Sequence, residues 1–156
     1  MSIDRTKFVL TDNLLSHHQK QLFFLYQQMW WADNRTPEEM NKIIKNSSFV
    51  IGIIDTTKGT VVGFARILTD YYTLAYIFDV IVCESCRGKS LGKILMNYIV
   101  EHEKLKNVVT IELACQQEMI LFYQQFGFLE DYNNTIVMRR KNTKTTNKYD
   151  PNGEGS

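Results

Sequence analysis

Apolar and polar residues alternate along the chain with two different periods, and their order predicts the secondary structure. The apolar run at residues 7–10 is short enough for a strand. Residues 17–31 carry apolar side chains at three- and four-residue spacing, which predicts a helix. A second helix is predicted to begin at Thr36, because Pro37 suits the first turn and Glu39 completes a capping box. The first third of the chain is therefore predicted to be a strand followed by two helices.

The middle of the chain is predicted to form a hairpin and an interior strand. Residues 49–55 and 61–68 are rich in β-branched and aromatic residues, and the TTKG between them ends in Gly59, which suits a tight turn. The next run, residues 73–83, is apolar on both faces, which is typical of a strand buried within a sheet. Asp79 interrupts that run, and a carboxylate there is costly unless it is paired or functional.

The later half of the chain alternates between helical and strand periods. The predicted elements are a helix over 91–102, a strand over 108–115, a short helix over 118–126 and a last strand over 135–140. This order predicts a mixed α/β domain around one sheet, formed by residues 1–140. Residues 141–156 are almost without apolar side chains and contain proline and glycine, so they are predicted to be a disordered tail.

Composition limits the class of protein. A chain of 156 residues, 44% of them hydrophobic, can build one ordinary core, and a formal net charge of +1 argues against a bulk electrostatic nucleic-acid binder. No stretch is apolar enough for a membrane span or a secretory signal. The odd count of three cysteines fits a reduced protein. We therefore expect a cytoplasmic protein whose partners include neither nucleic acid nor a membrane.

A basic, glycine-containing segment, RGKSLG at residues 87–92, stands at the start of the third predicted helix. Bare N–H groups at a helix start bind anions, and glycine lets a pyrophosphate approach closely. A nucleoside-triphosphate loop would need glycine where Cys83 stands, and a dinucleotide fingerprint would need a third glycine. A basic turn before a core helix is the alternative without a ligand.

The segment is similar to the acyl-coenzyme A loop of the GNAT acetyltransferases, Arg/Gln-x-x-Gly-x-Gly/Ala, with Ser90 where glycine is usual. LFYQQFGF at residues 121–128 resembles the family's LYEKFGF, and residues 63–82 resemble its central hairpin. The resemblance implies a single mixed, mostly antiparallel sheet flanked by helices. It also implies an N-acetyltransferase that moves the acetyl group of acetyl-coenzyme A to a primary amine, favouring a small molecule, by direct attack.

The resemblance implies which backbone groups would hold acetyl-coenzyme A. The strand that ends near Val82 would be splayed from its neighbour, and its last residues would bond the pantetheine arm. The N–H of Val82 would face the thioester oxygen as an oxyanion hole does. Gln116, in place of a family asparagine, would contact the coenzyme with a longer reach. The whole coenzyme-binding set would be Val80, Ile81, Val82, Arg87, Gly88, Lys89, Ser90, Leu91, Gly92, Gln116 and Tyr123.

Two residues are candidates for the chemistry. Tyr123 matches the family tyrosine that protonates the departing thiolate, directly or through water; a core tyrosine is the alternative. Asp79 would bind the acceptor's ammonium group or act as base. An ion pair between Asp79 and Arg66 on the adjacent strand is an equally weighted alternative.

An acceptor pocket is expected near the first two helices, where GNAT folds shape it. An aromatic wall there would combine Trp30 and Trp31 with Tyr71 and Tyr72, beside Arg66 and Asp79. These residues suit a cationic acceptor, while a peptide N-terminus or a lysine stays open. The rival hypothesis is a catalytically silent acyl-coenzyme A-binding module or sensor. The family also allows a homodimer.

The cysteines are not expected to form a site. Cys83 and Cys86 make one C-x-x-C without a second pair, so no metal is expected. Cys115 is expected to be a small buried cysteine rather than an acyl-carrying nucleophile.

Overall fold

The computed structural model of the protein describes residues 6–32, 35–130, 133–140 and 142. The strands are β1 (Phe8–Thr11), β2 (Phe49–Asp55), β3 (Thr60–Thr69), β4 (Leu74–Val82) and β5 (Thr110–Leu113). The helices are α1 (Ser16–Gln27), α2 (Pro37–Lys45), α3 (Leu91–Val100) and α4 (Ile120–Gln124). Single 3₁₀ turns lie at Trp30–Ala32, Glu84–Cys86, Glu103–Leu105 and Gln117–Met119.

The five strands form one sheet in the order β1-β2-β3-β4-β5. Pairing is antiparallel from β1 to β4 and parallel between β4 and β5. The hairpin between β2 and β3 turns through Gly59, whose φ of +64° is a conformation that glycine adopts without strain. The prediction of a single mixed, mostly antiparallel sheet with flanking helices is confirmed.

Helices cover both faces of the sheet because the strands at its centre are apolar on both sides. On one face, α1 packs on β3 and β4, and its buried residues Leu22, Leu25 and Tyr26 belong to the stripe predicted from spacing. On the other face lies α3, which buries Leu91, Leu95, Met96 and Ile99. The capping box of α2 is present, since Thr36 and Glu39 exchange hydrogen bonds of 2.8 and 3.2 Å.

Irregularities in β4 shape its C-terminal half. Its register against β3 shifts between Phe64 and Arg66, and opposite this bulge Asp79 has a φ of +55°. Its parallel pairing with β5 runs only from Leu74 to Ile77. Bulges bend and twist a strand. The second half of β4 is therefore paired with β3 but not with β5.

The prediction of a last strand over residues 135–140 is wrong. Thr135 forms an isolated bridge, and the residues after it belong to no strand. Ile136 and Met138 are 88% and 92% exposed, so the segment buries no apolar face against the sheet. A β-rich run becomes a strand only where a neighbour offers hydrogen bonds and packing, and β5 is only four residues long.

Two further expectations concern the C-terminal tail and membrane-spanning helices. The predicted tail, residues 141–156, lies outside the described residues except for Asn142, and its disorder stays a prediction. Among the described residues, no helix has the length and apolarity needed to cross a bilayer.

Candidate active site

β4 and β5 part after Ile77, and the gap between them forms a slot beside the end of β4. β5 ends at Leu113, opposite Ile77, so no strand of the described residues lies along the outer edge of residues 78–82. The N–H of Cys83 donates to the carbonyl of Val62 on β3 at 2.8 Å. Successive N–H groups of a strand point to alternate sides, so the N–H of Val82 points toward the slot. The strand is splayed as the family resemblance implied, and the role of the Val82 N–H toward a thioester stays a prediction.

The RGKSLG segment forms the end of the slot nearest α3. Gly88 and Ser90 have φ values of +77° and +57°, and α3 begins directly after them at Leu91. The side chain of Ser90, at the N-cap of α3, makes no capping hydrogen bond, and the first turn of α3 carries no acidic residue. Residues 87–90 are exposed. The helix therefore presents uncapped donors and the positive end of its dipole to solvent, which suits an anion.

Gly92 has a second role that the RGKSLG motif did not indicate. A Cβ built on Gly92 would lie 3.3 Å from the ring of Phe122 in α4, and 4.0 Å from Val82. The absence of a side chain at Gly92 thus allows α3 and α4 to approach each other as well as keeping the loop bare.

Tyr123 is buried in α4 within the α3-side core, and 8% of it is exposed. Its ring packs edge-on against Phe122 and Phe128. Burial, with a smaller contribution from the thiol of Cys115, raises the pKa of Tyr123 to about 12. The phenol is therefore protonated at neutral pH and can serve as a proton donor. Its hydroxyl makes no hydrogen bond to any other described residue.

Asp79 lies in a cluster of polar groups on the α1 side of the sheet. Its side chain is 3% exposed, and its Oδ2 accepts hydrogen bonds of 2.6 Å from both Arg66 Nε and the Tyr26 hydroxyl. Arg35 Nη1 lies 3.8 Å from the same oxygen. The ion pair between Asp79 and Arg66, one of the two alternatives from sequence, is present. The acceptor-binding role of Asp79 stays a prediction.

Tyr26 contributes a hydrogen bond but no charge to this cluster. Burial, followed by the negative charge of Asp79, raises the pKa of Tyr26 well above its usual value of 10.0. The phenol therefore stays neutral and donates to the carboxylate. The sequence places Tyr26 only within the predicted helix over residues 17–31, and it indicates no role for Arg35. Nothing in their spacing indicated that they meet β4; tertiary packing brings them there.

The four aromatic residues of the predicted wall lie in two places. Trp31 packs edge-on against Tyr26 at 5.8 Å between ring centroids, and the Arg35 guanidinium lies 6.0 Å from its ring. Trp30, in the same turn, is 52% exposed. Tyr71 and Tyr72 are exposed at the turn between β3 and β4, where the Tyr71 hydroxyl donates to the carbonyl of Ser48. Trp31 is therefore the aromatic residue of the four that accompanies the Asp79 cluster.

Gln116 and Cys115 lie between β5 and α4. Gln116 is exposed at the start of a 3₁₀ turn, and its side chain makes no capping bond there. The prediction that Cys115 is buried is wrong, since it is exposed where the chain leaves β5. Partial burial and then the nearby Glu130 carboxylate raise the pKa of Cys115, so its thiol stays protonated at neutral pH. That protonation disfavours an acyl-cysteine.

Cys83 precedes the 3₁₀ turn after β4 and Cys86 is the last residue of that turn, and both are free thiols. In the described ranges, no three His, Cys, Asp or Glu side chains gather closely enough to hold a metal ion.

Comparison with known proteins agrees with this geometry. A model of the acetyltransferase (GNAT) family matches residues 12–128. An uncharacterized N-acetyltransferase, ycf52, from Pyropia yezoensis is 31% identical over 136 residues, which are 83% of this chain and 78% of the relative. The chloroplastic serotonin N-acetyltransferase 2 of Oryza sativa subsp. japonica is 31% identical over 62% of this chain and 50% of its own length. A structure assigned to the GNAT family from Xanthomonas campestris pv. campestris superposes with a TM-score of 0.73 at 26% identity, covering 86% of this chain and 92% of its own.

Proposed function

This chain belongs to the GNAT family of acetyltransferases, and from that membership we propose that it transfers the acetyl group of acetyl-coenzyme A to a primary amine of a small molecule. The observation that carries the proposal is the slot between β4 and β5, with the N–H of Val82 directed into it and Tyr123 buried in the adjoining core. A strand edge without a partner is rare inside a core unless a ligand completes it.

The residues around the slot fit the donor. The open edge of residues 78–82 would pair with the amide-containing pantetheine arm, as a missing strand would. The uncapped N–H groups of α3 and the exposed loop at 87–90 would bind the pyrophosphate. Gln116 is exposed near the start of α4 and would reach the coenzyme from there.

Direct attack requires two proton movements and one exchange of bonds. The acceptor's ammonium first loses a proton to water, because only the neutral amine is a nucleophile. The nitrogen then forms its bond to the carbonyl carbon as the carbon–sulfur bond breaks. The N–H of Val82 would stabilise the negative charge on the oxygen, and Tyr123 would give its proton to the departing sulfur. The proton released by the new amide nitrogen would restore the phenol through water.

In this scheme we assign Asp79 to holding Arg66 and the acceptor in place. Its Oδ2 already accepts two hydrogen bonds of 2.6 Å, from Arg66 and Tyr26, and these fix the carboxylate in one orientation. The carboxylate would hold Arg66 in place beside the slot. The expectation of a cytoplasmic location stays a prediction, because the rice relative is named as chloroplastic.

The proposal is tested by the release of coenzyme A. Purified protein is incubated with acetyl-coenzyme A and a panel of primary amines and diamines, small peptides and lysine. Free thiol is measured with a chromogenic disulfide, and the product by mass spectrometry. We expect thiol release and a matching acetylated amine with at least one small molecule. If acetyl-coenzyme A raises the melting temperature but no amine releases thiol, the protein is a silent coenzyme-binding module and the proposal is wrong.

A further inference from the structure

Arg66 has a partly unused guanidinium beside Asp79. It lies on β3 opposite Phe78 of β4, and its side chain is 10% exposed. It stacks on the ring of Phe78, with 4.4 Å from Cζ to the ring centroid. In the part of the chain that the structure describes, its hydrogen bonding is limited to the bond from Nε to Asp79. Both Nη groups therefore have their donors available.

Asp79 has a similar asymmetry. The contacts from Arg66, Tyr26 and Arg35 all fall on Oδ2. Oδ1 accepts no hydrogen bond from the described residues. A carboxylate can accept about four hydrogen bonds, two on each oxygen. Oδ2 of Asp79 thus holds the cluster together, while Oδ1 can accept hydrogen bonds from a ligand.

The two unused groups are adjacent and opposite in charge. The bond between Arg66 Nε and Asp79 Oδ2 is only 2.6 Å long, so the Nη groups and Oδ1 lie within a few bond lengths of each other. Asp79 belongs to the half of β4 that has parted from β5, and Arg66 lies on β3 opposite Phe78 of that half. Neither Asp79 Oδ1 nor the Nη groups of Arg66 are among the fully buried atoms that lack a hydrogen-bond partner, so a bound molecule can reach both charges.

We propose that the acceptor is a small zwitterion, an amine that also carries an anionic group. This inference rests on the proposed acetyl transfer. The carboxylate or phosphate of the acceptor would bind the two Nη groups of Arg66, whose planar fork matches two anionic oxygens. Oδ1 of Asp79 would receive the ammonium before its deprotonation. Trp31 and the ring of Phe78 would line the apolar part of the pocket.

The test compares acceptors that differ in one charge. Tryptophan, its amide and tryptamine form one set; tyrosine, its amide and tyramine form a second. The amide is the important control, because its amine loses a proton more easily than that of the acid. Phosphoethanolamine and ethanolamine test phosphate against carboxylate as the anionic group. We expect kcat/KM for the anionic member of a set to exceed that of its neutral partner by about tenfold to a hundredfold, the range for a hydrogen bond to a charged group.

Arg66 variants test the assigned contact. Arg66→Gln should bring the acid-to-amide ratio close to one, and Arg66→Lys, which keeps the charge but not the fork, should leave an intermediate ratio. Because a ratio is taken within each variant, partial loss of folded protein cancels. Lys45→Gln is the matched control: it removes one exposed positive charge at the end of α2 and should keep the wild-type ratio.

The inference and the proposed function fail in different ways. Acetylation of amides and simple amines at least as efficiently as of the acids would overturn the inference while leaving the transferase intact. An unchanged ratio in Arg66→Gln would do the same. If no amine releases coenzyme A, binding of each set is measured by thermal shift with coenzyme A present. Preference for the acid that depends on Arg66 then supports the zwitterion site without the activity, and its absence overturns both.

Discussion

Tyr123 and Asp79 are both buried side chains of the proposed site, yet their surroundings give them different capacities. The hydroxyl of Tyr123 makes no hydrogen bond to the described residues, and burial holds its pKa near 12. Oδ2 of Asp79 accepts two hydrogen bonds of 2.6 Å. A group without protein partners can exchange a proton with a ligand, whereas a group with several is fixed in place. Tyr123 is therefore the candidate proton donor, and Asp79 is the candidate positioning group.

Tyr123→Phe should lower kcat about a hundredfold to ten-thousandfold, because the hydroxyl acts chiefly in the transition state. The affinity for acetyl-coenzyme A should change little, since the ring and its packing are kept. Steady-state kinetics, with binding followed by calorimetry, make the comparison. Tyr98→Phe, a half-buried tyrosine of α3, is the matched control and should keep wild-type turnover. If Tyr123→Phe keeps full turnover at every pH while the chemical step limits the rate, Tyr123 is not the proton donor.

The same residue predicts a pH effect on stability. The pKa of Tyr123 is raised from 10.0 to about 12 in the folded protein, so the unfolded chain loses this proton first as the pH rises. The contribution of the protonated phenol is complete below pH 10 and is lost progressively between pH 10 and about 12. Urea unfolding across this range should show a steeper loss in the wild type than in Tyr123→Phe. Equal slopes would contradict the raised pKa.

Asp79→Asn should reduce the free energy of unfolding by about 3–5 kcal/mol, the usual cost of removing one partner from a buried ion pair. Asp12→Asn is the matched control, because Asp12 forms a partly exposed pair with Lys104 at 2.8 Å and should cost at most about 1 kcal/mol. Urea unfolding of both variants gives the comparison. A rise in the acceptor's KM in Asp79→Asn, with acetyl-coenzyme A affinity kept, would add the acceptor-binding role. Equal losses of stability in the two variants would exclude the structural role.

At the scale of elements, the site is the meeting of a strand end with a helix start. β4 parts from β5 after Ile77, and α3 begins at Leu91 behind a loop with two residues at positive φ. The last turn before α3 leaves its N–H groups uncapped. Elsewhere in the chain the start of α2 is fully capped by Thr36 and Glu39. The contrast suggests that the donors of α3 are kept for a ligand.

Acetyl-coenzyme A should stabilise the wild type by about 2.7 kcal/mol at a hundred times its dissociation constant. Gly92→Val should abolish this stabilisation, because its side chain would occupy the start of α3. The variant also presses on Phe122, so its melting temperature without ligand must be measured alongside. Gly59→Ala is the control, since it strains the β2–β3 turn, where a Cβ meets nothing within 4 Å, and should keep the full thermal shift. If millimolar acetyl-coenzyme A leaves the melting temperature of the wild type unchanged, the assignment of the coenzyme site is wrong.

At the scale of the whole molecule, one sheet separates two cores and carries the site between them. The α1 side contains Tyr26 and the charged cluster around Asp79, and the α3 side contains Tyr123. In the proposed function, the two sides would meet at the reacting carbon through the slot between β4 and β5. A donor held from the α3 side and an acceptor held from the α1 side would then approach each other across the edge of β4.

The sequence by itself determined the elements whose signals are local. The stripe of α1, the capping box at Thr36, the turn at Gly59 and the loop before Leu91 each depend on residues within a few positions of one another. The same local motifs carried the family resemblance, and the family model matches most of the chain. Local spacing is sufficient in these cases because backbone conformation and helix capping are decided by near neighbours.

Only the tertiary structure decided which contacts form between segments that are distant in sequence. It brought Tyr26 and Arg35 to Asp79, and it showed the ion pair between Asp79 and Arg66, while the acceptor-binding role of Asp79 stays a prediction. It also left residues 136–140 outside any strand despite their β-rich composition, and it exposed Cys115. These outcomes depend on which surfaces find a partner, and hydrogen bonds between residues 53 positions apart leave no periodic trace in a sequence.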